Sequence, residues 1–314
     1  MKLVFMGTPQ AAVPTLERLL ADGHEVVAVY SQPDRPSGRG NKIVFSPVKQ
    51  FALDFGIPVL QPLKVRTPEA LKEFRKHRAD VAVVVAYGRI LPEGFLNAFQ
   101  HGAVNVHFSL LPKYRGAAPV NWSIVNGETD TGVTTMKMDI GLDTGDILFQ
   151  RSISIEPEET APELMERLSH LGADLLSETL RDLSSVEPRP QDHSMATLAP
   201  IMKREDGLID WNMPAAEIAN RVRGFQAFPG TFTFLDGKRV VLWSAQPCEQ
   251  NDPNEVAVPG TLVNAANDQM IVAAGGRTFL CVEELQFEGK RRVHVSEAIN
   301  GGQLKPGHFF SSNS

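Results

Sequence analysis

The chain contains 314 residues with a formal net charge of −6, and 42% of its residues are hydrophobic and 22% charged. This length suits two domains, and the composition is typical of a globular protein. No apolar run reaches the roughly 18 residues that predict a membrane span. The first residues, MKLVFMGTP, lack the pattern of a signal peptide, so we expect a cytoplasmic protein. The acidic balance gives no general reason to expect a nucleic acid partner, and Cys248 and Cys281 are expected to be free structural thiols.

The first half of the chain alternates short β-rich runs with helical patterns. Examples of the β-rich runs are DVAVVVAYG (Asp80–Gly88) and GAVNVHF (Gly102–Phe108). Because continuous apolar runs separated by helices are typical of parallel sheets covered on both faces, the pattern predicts a doubly wound, mostly parallel, Rossmann-like α/β domain. After Gly132 two alternating runs are close enough to pair, and residues 157–183 show the pattern of one long amphipathic helix. We expect this domain to span residues 1–183.

The second half of the chain has a different sequence pattern. Residues 184–203 are rich in Ser and Pro and lack periodicity, so we expect a linker there. A helical pattern, MPAAEIANRVRGF, is followed by short strands with turn signals, including a predicted Asp-Gly hairpin. About five short strands within about 100 residues predict a small, OB-like β-barrel over residues 204–314.

Asn105 and His107 are two residues apart on a predicted strand, so their side chains share one face. In open parallel sheets ligands bind beyond the carboxyl ends of the strands, where the segments MGTPQ, AYGRILP and NVHFSLLP are expected to lie. The segment MDIGLDTGD (Met138–Asp146) adds three carboxylates between two strands. Each feature alone is also typical of structural residues, namely a histidine at a strand end, a capping asparagine and a solvated acidic turn.

Motifs for several common chemistries are missing from the sequence. No G-x-G-x-x-G follows the first strand, and there is no Walker lysine, no H-E-x-x-H, no zinc-spaced Cys/His set and no G-x-S-x-G elbow. An amide, an imidazole and a carboxylate remain. This set suits acyl transfer to an amine, because amide and imidazole N–H groups stabilise an oxyanion while a carboxylate orients the histidine or accepts a proton. We therefore expect direct attack by the acceptor amine.

The stretch NVHFSLLPKYRGAAPVNW (Asn105–Trp122), followed by MDIGLDTGDIL, resembles the signature of the 10-formyltetrahydrofolate-dependent formyltransferases. That family shows N-x-H-x-S-L-L-P, then R-G, and an Asp within G-x-D-T-G-D. The resemblance implies that 10-formyltetrahydrofolate is the formyl donor, that no metal takes part, and that the catalytic residues are Asn105, His107 and Asp143. It also implies a folate-contacting loop formed by Ser109, Leu110, Leu111 and Pro112.

Further segments resemble the members of that family that formylate methionyl initiator tRNA for translation initiation. These segments are MGTPQAAVPTLERL, SQPDRPSGRGNKIVFSPVK (Ser31–Lys49) and RVRGFQAFPGTFTF. Ser31–Lys49 resembles an inserted basic loop that reaches the acceptor stem, which implies that Arg39 and Lys42 contact tRNA. The resemblance also implies that the barrel binds tRNA, and the candidate basic residues are Lys203, Arg204, Arg239, Lys290, Arg291 and Arg292. Without a coiled-coil pattern and with an acidic surface, we expect a monomer.

Two alternatives remain open at this point. One is a formyltransferase with the same catalytic head that acts on a small-molecule amine, such as glycinamide ribonucleotide or an amino sugar. That alternative leaves the basic segment and the barrel without a purpose. The other is a non-catalytic RNA-binding protein built around the barrel, which leaves Asn105, His107 and Asp143 without a purpose and should be more basic than −6.

Overall fold

The chain forms two compact units, each built from more than one segment. The computed structural model describes residues 1–37, 42–249, 257–266 and 268–313. Within these ranges, no helix combines the length and the apolar character that crossing a membrane requires. The first unit comprises residues 1–119, 130–154 and 164–200, and the second comprises residues 120–129, 155–163 and 201–314.

The first 200 residues contain strands and helices in alternation. The strands are β1 (Lys2–Gly7), β2 (Glu25–Tyr30), β3 (Arg35–Ser37), β4 (Lys42–Val44), β5 (Val59–Leu60), β6 (Val81–Val85), β7 (Ala103–His107), β8 (Arg115–Gly116), β9 (Asp130–Lys137), β10 (Ile147–Ser154) and β11 (Leu198–Ala199). The helices are α1 (Val13–Ala21), α2 (Pro47–Asp54), α3 (Pro68–Arg75), α4 (Glu93–Leu96), α5 (Pro119–Val125) and α6 (Ala161–Asp182).

The main sheet of the first unit is mostly parallel. In the described residues it has seven strands in the order β10-β9-β7-β6-β1-β2-β5. The strands from β7 to β5 pair in parallel, whereas β9 runs antiparallel to both β7 and β10. Every residue of β6 (VAVVV) and β7 (AVNVH) is buried, as expected for strands covered on both faces. The predicted doubly wound, mostly parallel sheet is confirmed.

The position of β7 inside the sheet determines where the side chains of Asn105 and His107 lie. Its pairing with β9 sets Asn105 opposite Met136 and His107 opposite Thr134. Because side chains alternate along a strand, Asn105 and His107 project from the same face. Both residues are therefore carried by a central strand with neighbours on each side, which holds their backbone more firmly than a loop would.

Helix starts in this unit follow ordinary capping rules. Ser46 precedes α2 and its hydroxyl accepts a hydrogen bond from the backbone N–H of Lys49, while Thr67 does the same for Ala70 at the start of α3. Both helices also have Pro at their first position. These side chains satisfy backbone donors that the helix itself leaves unpaired.

The segment predicted as a linker, residues 184–203, packs on the first unit as far as Pro200. Its strand β11 pairs in parallel with β8. The hydroxyl of Thr197 accepts a hydrogen bond of 2.8 Å from the backbone N–H of Tyr114, and an isolated bridge joins Arg189 to Ile147. Individual contacts hold this segment, which explains why its sequence shows no periodicity.

The second unit contains an antiparallel barrel. In its C-terminal segment the structure describes the helices α7 (Ala215–Gly224) and α8 (Val295–Asn300). In the described residues its sheet has the order β14-β15-β16-β13-β12-β18, and β17 pairs with β16. The strands are β12 (Thr231–Leu235), β13 (Lys238–Cys248), β14 (Leu262–Ala266), β15 (Gln269–Ala274), β16 (Thr278–Phe287), β17 (Val293–His294) and β18 (Phe310–Ser311).

The two ends of this strand order meet. A bridge between Thr261 and Phe309 joins the start of β14 to the start of β18, and backbone hydrogen bonds of 2.8 Å flank it on both sides. The predicted hairpin between β12 and β13 turns at Asp236 and Gly237, both with positive φ, as a tight two-residue turn requires. The predicted small, OB-like barrel is confirmed.

Segments from the first half of the chain complete the second unit. The indole of Trp122 on α5 meets the ring of Phe225 edge-on, with 5.6 Å between ring centroids. The side-chain amide of Asn121 donates a 2.8 Å hydrogen bond to the carbonyl of Gly224. From the end of α7, Arg223 donates to the carbonyls of two residues in the segment 155–163. The chain therefore does not divide at a single point between its two units.

Candidate active site

Asn105 and His107 lie on the same face of β7. Both are buried, with exposed fractions of 8% and 6%. His107 Nε2 lies 2.9 Å from the backbone carbonyl oxygen of Tyr114. Because a carbonyl oxygen only accepts, we assign the Nε2 proton to this hydrogen bond. Nδ1 is then the ring nitrogen that remains for a reacting molecule. Among the described residues, the carboxamide of Asn105 has no hydrogen-bond partner, so it too is available to a substrate.

Asp143 lies in the turn between β9 and β10 and is close to His107. Its Oδ2 accepts a 2.8 Å hydrogen bond from the backbone N–H of Gly116 and lies 3.8 Å from His107 Nδ1. The second distance is longer than a hydrogen bond, so the carboxylate acts on the ring through its charge in this geometry. The structure therefore brings the sequence-predicted residues His107 and Asp143 together, beside Asn105.

Another carboxylate of the turn shapes the backbone. Asp139 Oδ1 accepts hydrogen bonds from the backbone N–H of Gly141 at 3.0 Å and from the hydroxyl of Thr144 at 2.7 Å. A Cβ at Gly145 would lie 1.8 Å from the carbonyl oxygen of Lys137, so only glycine fits there. Asp139 and Gly145 therefore set the shape of the turn, and Asp143 faces the histidine.

Gln191 contacts this turn, and the sequence did not predict it as a site residue. Its Nε2 donates to the carbonyl oxygens of Asp143 at 2.9 Å and Gly145 at 2.7 Å. Its Oε1 accepts from Arg115 Nε at 3.1 Å and Nη2 at 2.6 Å. Gln191 lies in the aperiodic segment after α6, and no pattern in that segment indicates a contact with residues some 50 positions earlier.

The four residues predicted to contact folate divide into two kinds. Ser109 is fully buried and its hydroxyl donates to the carbonyl of Lys113, while Leu111 is buried and its N–H donates to the hydroxyl of Thr134. Leu110 and Pro112 are only half-buried. The buried pair fixes the loop, and the contact of the four residues with folate stays a prediction.

Comparison with known proteins identifies the family of this chain. The family model described as "Formyl transferase" matches residues 1–180, and that described as "Formyl transferase, C-terminal domain" matches residues 201–303. Methionyl-tRNA formyltransferase of Geobacter sulfurreducens is 48% identical over 98% of this chain and 96% of its own length. That of Caldanaerobacter subterraneus is also 48% identical, over 98% of this chain and 99% of its own length.

This chain belongs to the methionyl-tRNA formyltransferase family. It is therefore an enzyme, and the resemblance seen in the sequence is confirmed. Solved structures agree on the fold. The sugar 3N-formyltransferase WlaRD, solved in the presence of dTDP and 5-N-formyl-THF, matches 93% of this chain and 99% of its own, with a TM-score of 0.65 and 20% identity. HypX from Aquifex aeolicus in complex with tetrahydrofolic acid matches 95% of this chain and 46% of its own, with a TM-score of 0.61 and 16% identity.

In this member of the methionyl-tRNA formyltransferase family, the structure describes only part of one of the two basic residues predicted to contact tRNA and none of the other. Arg39 lies outside the described residues. Lys42 is the first residue of β4, where its backbone pairs with Ser37 of β3, and its side chain is not among those described. Lys49, at the end of the same basic segment, binds Asp34 at 2.5 Å and lies over the ring of Phe45.

Proposed function

We propose that this enzyme transfers the formyl group of 10-formyltetrahydrofolate to the free α-amine of methionyl initiator tRNA, and so serves translation initiation in the cytoplasm. The observation that carries the proposal is that the Asp143 carboxylate lies 3.8 Å from His107 Nδ1, at the carboxyl end of the strand β7 that also carries the buried Asn105 on the same face. The relatives of the same family, matched over nearly the whole chain, favour methionyl-tRNA as the acceptor.

The reaction begins with direct attack by the neutral amine on the formyl carbon. An α-amino group has a pKa of about 7.7–8.0, and an ester neighbour lowers it further, so the amine needs little activation. The carbonyl oxygen becomes an oxyanion, which accepts hydrogen bonds from the Asn105 amide and from His107 Nδ1–H. The C–N10 bond then breaks, the amine loses a proton, and N10 gains one.

Asp143 has two roles in this scheme. Its negative charge, 3.8 Å from Nδ1, helps to orient the imidazole toward the oxyanion, while Nε2 remains bonded to the Tyr114 carbonyl. The same carboxylate, directly or through water, accepts the proton that the amine releases. The Gly116 N–H holds Asp143 Oδ2 in place for both roles.

We assign different residues to the two substrates. We assign the folate to Leu110, Pro112 and the backbone of the 109–112 loop, and the tRNA to Arg39, Lys42 and the barrel. The enzyme is proposed to act as a monomer without a metal ion.

One assay tests the proposed function against its rivals. The purified enzyme is incubated with 10-formyltetrahydrofolate and with methionyl initiator tRNA, methionyl elongator tRNA, glycinamide ribonucleotide or an amino sugar nucleotide, and formylated product is measured. We expect the highest kcat/KM for the initiator tRNA. Preference for a small amine would identify a small-molecule formyltransferase, and binding of tRNA without turnover would identify a non-catalytic RNA-binding protein.

The basic segment is tested through Arg39. Because a cation that meets RNA phosphates adds to the salt dependence of binding, Arg39→Ala should raise KM for methionyl-tRNA and flatten the dependence of KM on salt, with kcat little changed. Arg78→Ala, at an exposed turn after α3, is the matched control. A KM for Arg39→Ala equal to wild type at several salt concentrations would remove Arg39 from the tRNA site.

A further inference from the structure

Gln191 connects two parts of the first unit that converge on Asp143. It is 6% exposed, and Arg115 beside it is 7% exposed. The two carbonyl oxygens that Gln191 binds belong to Asp143 itself and to Gly145, two residues later in the turn. Gln191 therefore spans the short piece of backbone from which the Asp143 side chain projects.

Arg115 determines which way the Gln191 amide points. Its guanidinium has only donors, so the two hydrogen bonds to Gln191 require Oε1 on that side. The NH₂ group must then face the turn, where both partners are carbonyl acceptors. Arg115 also donates from Nη2 to His193 Nδ1 at 3.0 Å, which limits its own rotation. The arrangement leaves one orientation for the carboxamide.

The same strand that carries Arg115 supplies the other support of Asp143. Gly116, the next residue of β8, donates its N–H to Asp143 Oδ2. Asp143 is thus held at its side chain by Gly116 and at its backbone by Gln191, and both supports originate at β8. Its φ of 53° is in the left-handed region, which aspartate tolerates better than most residues other than glycine, and the two supports hold it there.

We propose that Gln191 is a positioning residue for formyl transfer: its amide, oriented by Arg115, holds the Asp143 backbone so that the carboxylate stays beside His107. This inference rests on the proposed function, because it assigns Gln191 an effect only through Asp143. Gln191 does not touch the reacting atoms. Its removal lets the turn relax, moves the carboxylate relative to Nδ1 and lowers the rate of the chemical step.

The test is a double-mutant cycle between Gln191 and Asp143. Gln191→Leu should lower kcat about 10- to 100-fold, since a displacement of about 1 Å in a catalytic group can cost about 100-fold. KM for both substrates should stay within about threefold of wild type, because the proposal assigns this buried side chain no contact with either substrate. In an Asp143→Asn background the same change should lower kcat less than about threefold, because coupled residues are not additive. Gln100→Leu, at an exposed position of the same unit, should match wild type.

A second variant covers the case in which Gln191→Leu fails to fold. Gln191→Glu keeps the size of the side chain and gains an ion pair with Arg115, so we expect the protein to fold. The glutamate places an acceptor oxygen, in place of the NH₂ group, against the carbonyls of Asp143 and Gly145, so both hydrogen bonds to the turn are lost. The variant should lower kcat to a similar extent. Near-UV circular dichroism should match wild type, while the Tm should fall modestly because two buried carbonyls lose their donor.

Several results would overturn the positioning role. The first is a wild-type kcat in Gln191→Glu. The second is a kcat that Gln191→Leu lowers by the same factor in the wild-type and the Asp143→Asn background. The third is an effect of Gln191→Leu on KM alone. Failure of the proposed function has a different signature, since Asp143→Asn alone would then keep normal turnover while the contact between Gln191 and the turn remained intact.

Discussion

At the scale of single residues, the site depends on backbone positions that few residue types tolerate. Gly116 has a φ of 124°, and a Cβ there would lie 2.5 Å from the carbonyl oxygen of Ala199. Only glycine allows β8 to approach β11 this closely while its N–H points at Asp143. The close pairing of two short strands therefore fixes the Asp143 carboxylate, to which we assign a catalytic role.

Removal of the imidazole tests the reaction chemistry. We expect His107→Ala to lower kcat about 100- to 1,000-fold, the usual cost of losing one oxyanion donor. Because His107 is buried and its ring bonds to the Tyr114 carbonyl, the loss of the ring should also cost about 1–3 kcal/mol of stability. Steady-state kinetics and thermal unfolding measure the two effects. Wild-type turnover in folded His107→Ala would show that His107 is not catalytic.

Substitution of Gly116 tests the link between β8 and Asp143. Gly116→Ala should cost about 1–3 kcal/mol of stability through backbone strain and should also lower kcat, because the displaced N–H no longer holds the carboxylate. Gly237→Ala is the matched control, since Gly237 also has positive φ but an added Cβ there meets nothing within 4 Å. The control should lose stability and keep its kcat, and a Gly116→Ala enzyme with unchanged kcat would contradict the proposed support.

At the scale of elements, the basic segment that contains β3 and β4 is anchored at its base. Asp34 Oδ2 binds Lys49 Nζ at 2.5 Å, and its Oδ1 accepts a 2.8 Å hydrogen bond from Gln61 next to β5. The hydrogen bond from Lys49, with the one from Gln61, lowers the pKa of Asp34 below its ordinary value of 3.8. The segment therefore begins and ends at one charged cluster on the edge of the sheet.

The anchor predicts a pH-dependent contribution to stability. Because the folded-state pKa of Asp34 is lowered, its ion pair stabilises the fold fully above the unfolded value of 3.8 and loses its effect as the pH falls through the lower folded-state value. Asp34→Asn should therefore unfold more easily at pH 7, by about 1 kcal/mol at most for a pair this close to the surface. The difference should shrink toward zero in acid. Denaturant unfolding across pH measures it, with the exposed Asp54→Asn as control, and a difference that grows in acid would contradict the assignment.

The sequence predicts elements of this fold better than it predicts their contacts. Continuous apolar runs identify β6 and β7, and the spacing of two places Asn105 and His107 on one face, because both features are local. Asp143 is identified only by family resemblance, since nothing local distinguishes it from Asp139 in the same turn. Gln191 escapes prediction because its role comes from a contact across the fold, made by a segment with no regular structure.

At the scale of the whole molecule, the two units are interleaved along the chain. Helix α5 and residues 155–163 belong to the second unit although first-unit segments surround them in sequence. Phe225, which α5 contacts through Trp122, is fully buried. The barrel is thus not complete as a continuous C-terminal fragment.

A fragment of residues 201–314 tests this dependence. Without α5 and residues 155–163, Phe225 loses its aromatic partner, worth about 0.5–1.5 kcal/mol beyond burial, and Arg223 loses its carbonyl acceptors. The fragment should have a lower Tm than the barrel in the full chain and should bind a hydrophobic dye. Differential scanning calorimetry and dye fluorescence check this. A fragment with the same Tm and no dye binding would show that the barrel folds independently.

Closure of the barrel by the bridge between Thr261 and Phe309 bears on how the enzyme behaves when concentrated. An open sheet presents a row of unpaired backbone groups on which a foreign strand can add, and this is the first step toward fibrils. In this barrel the backbone of Gly260 and Leu262, at the start of β14, bonds instead to residues just before and at the start of β18. A foreign strand that added at this point would have to displace those bonds.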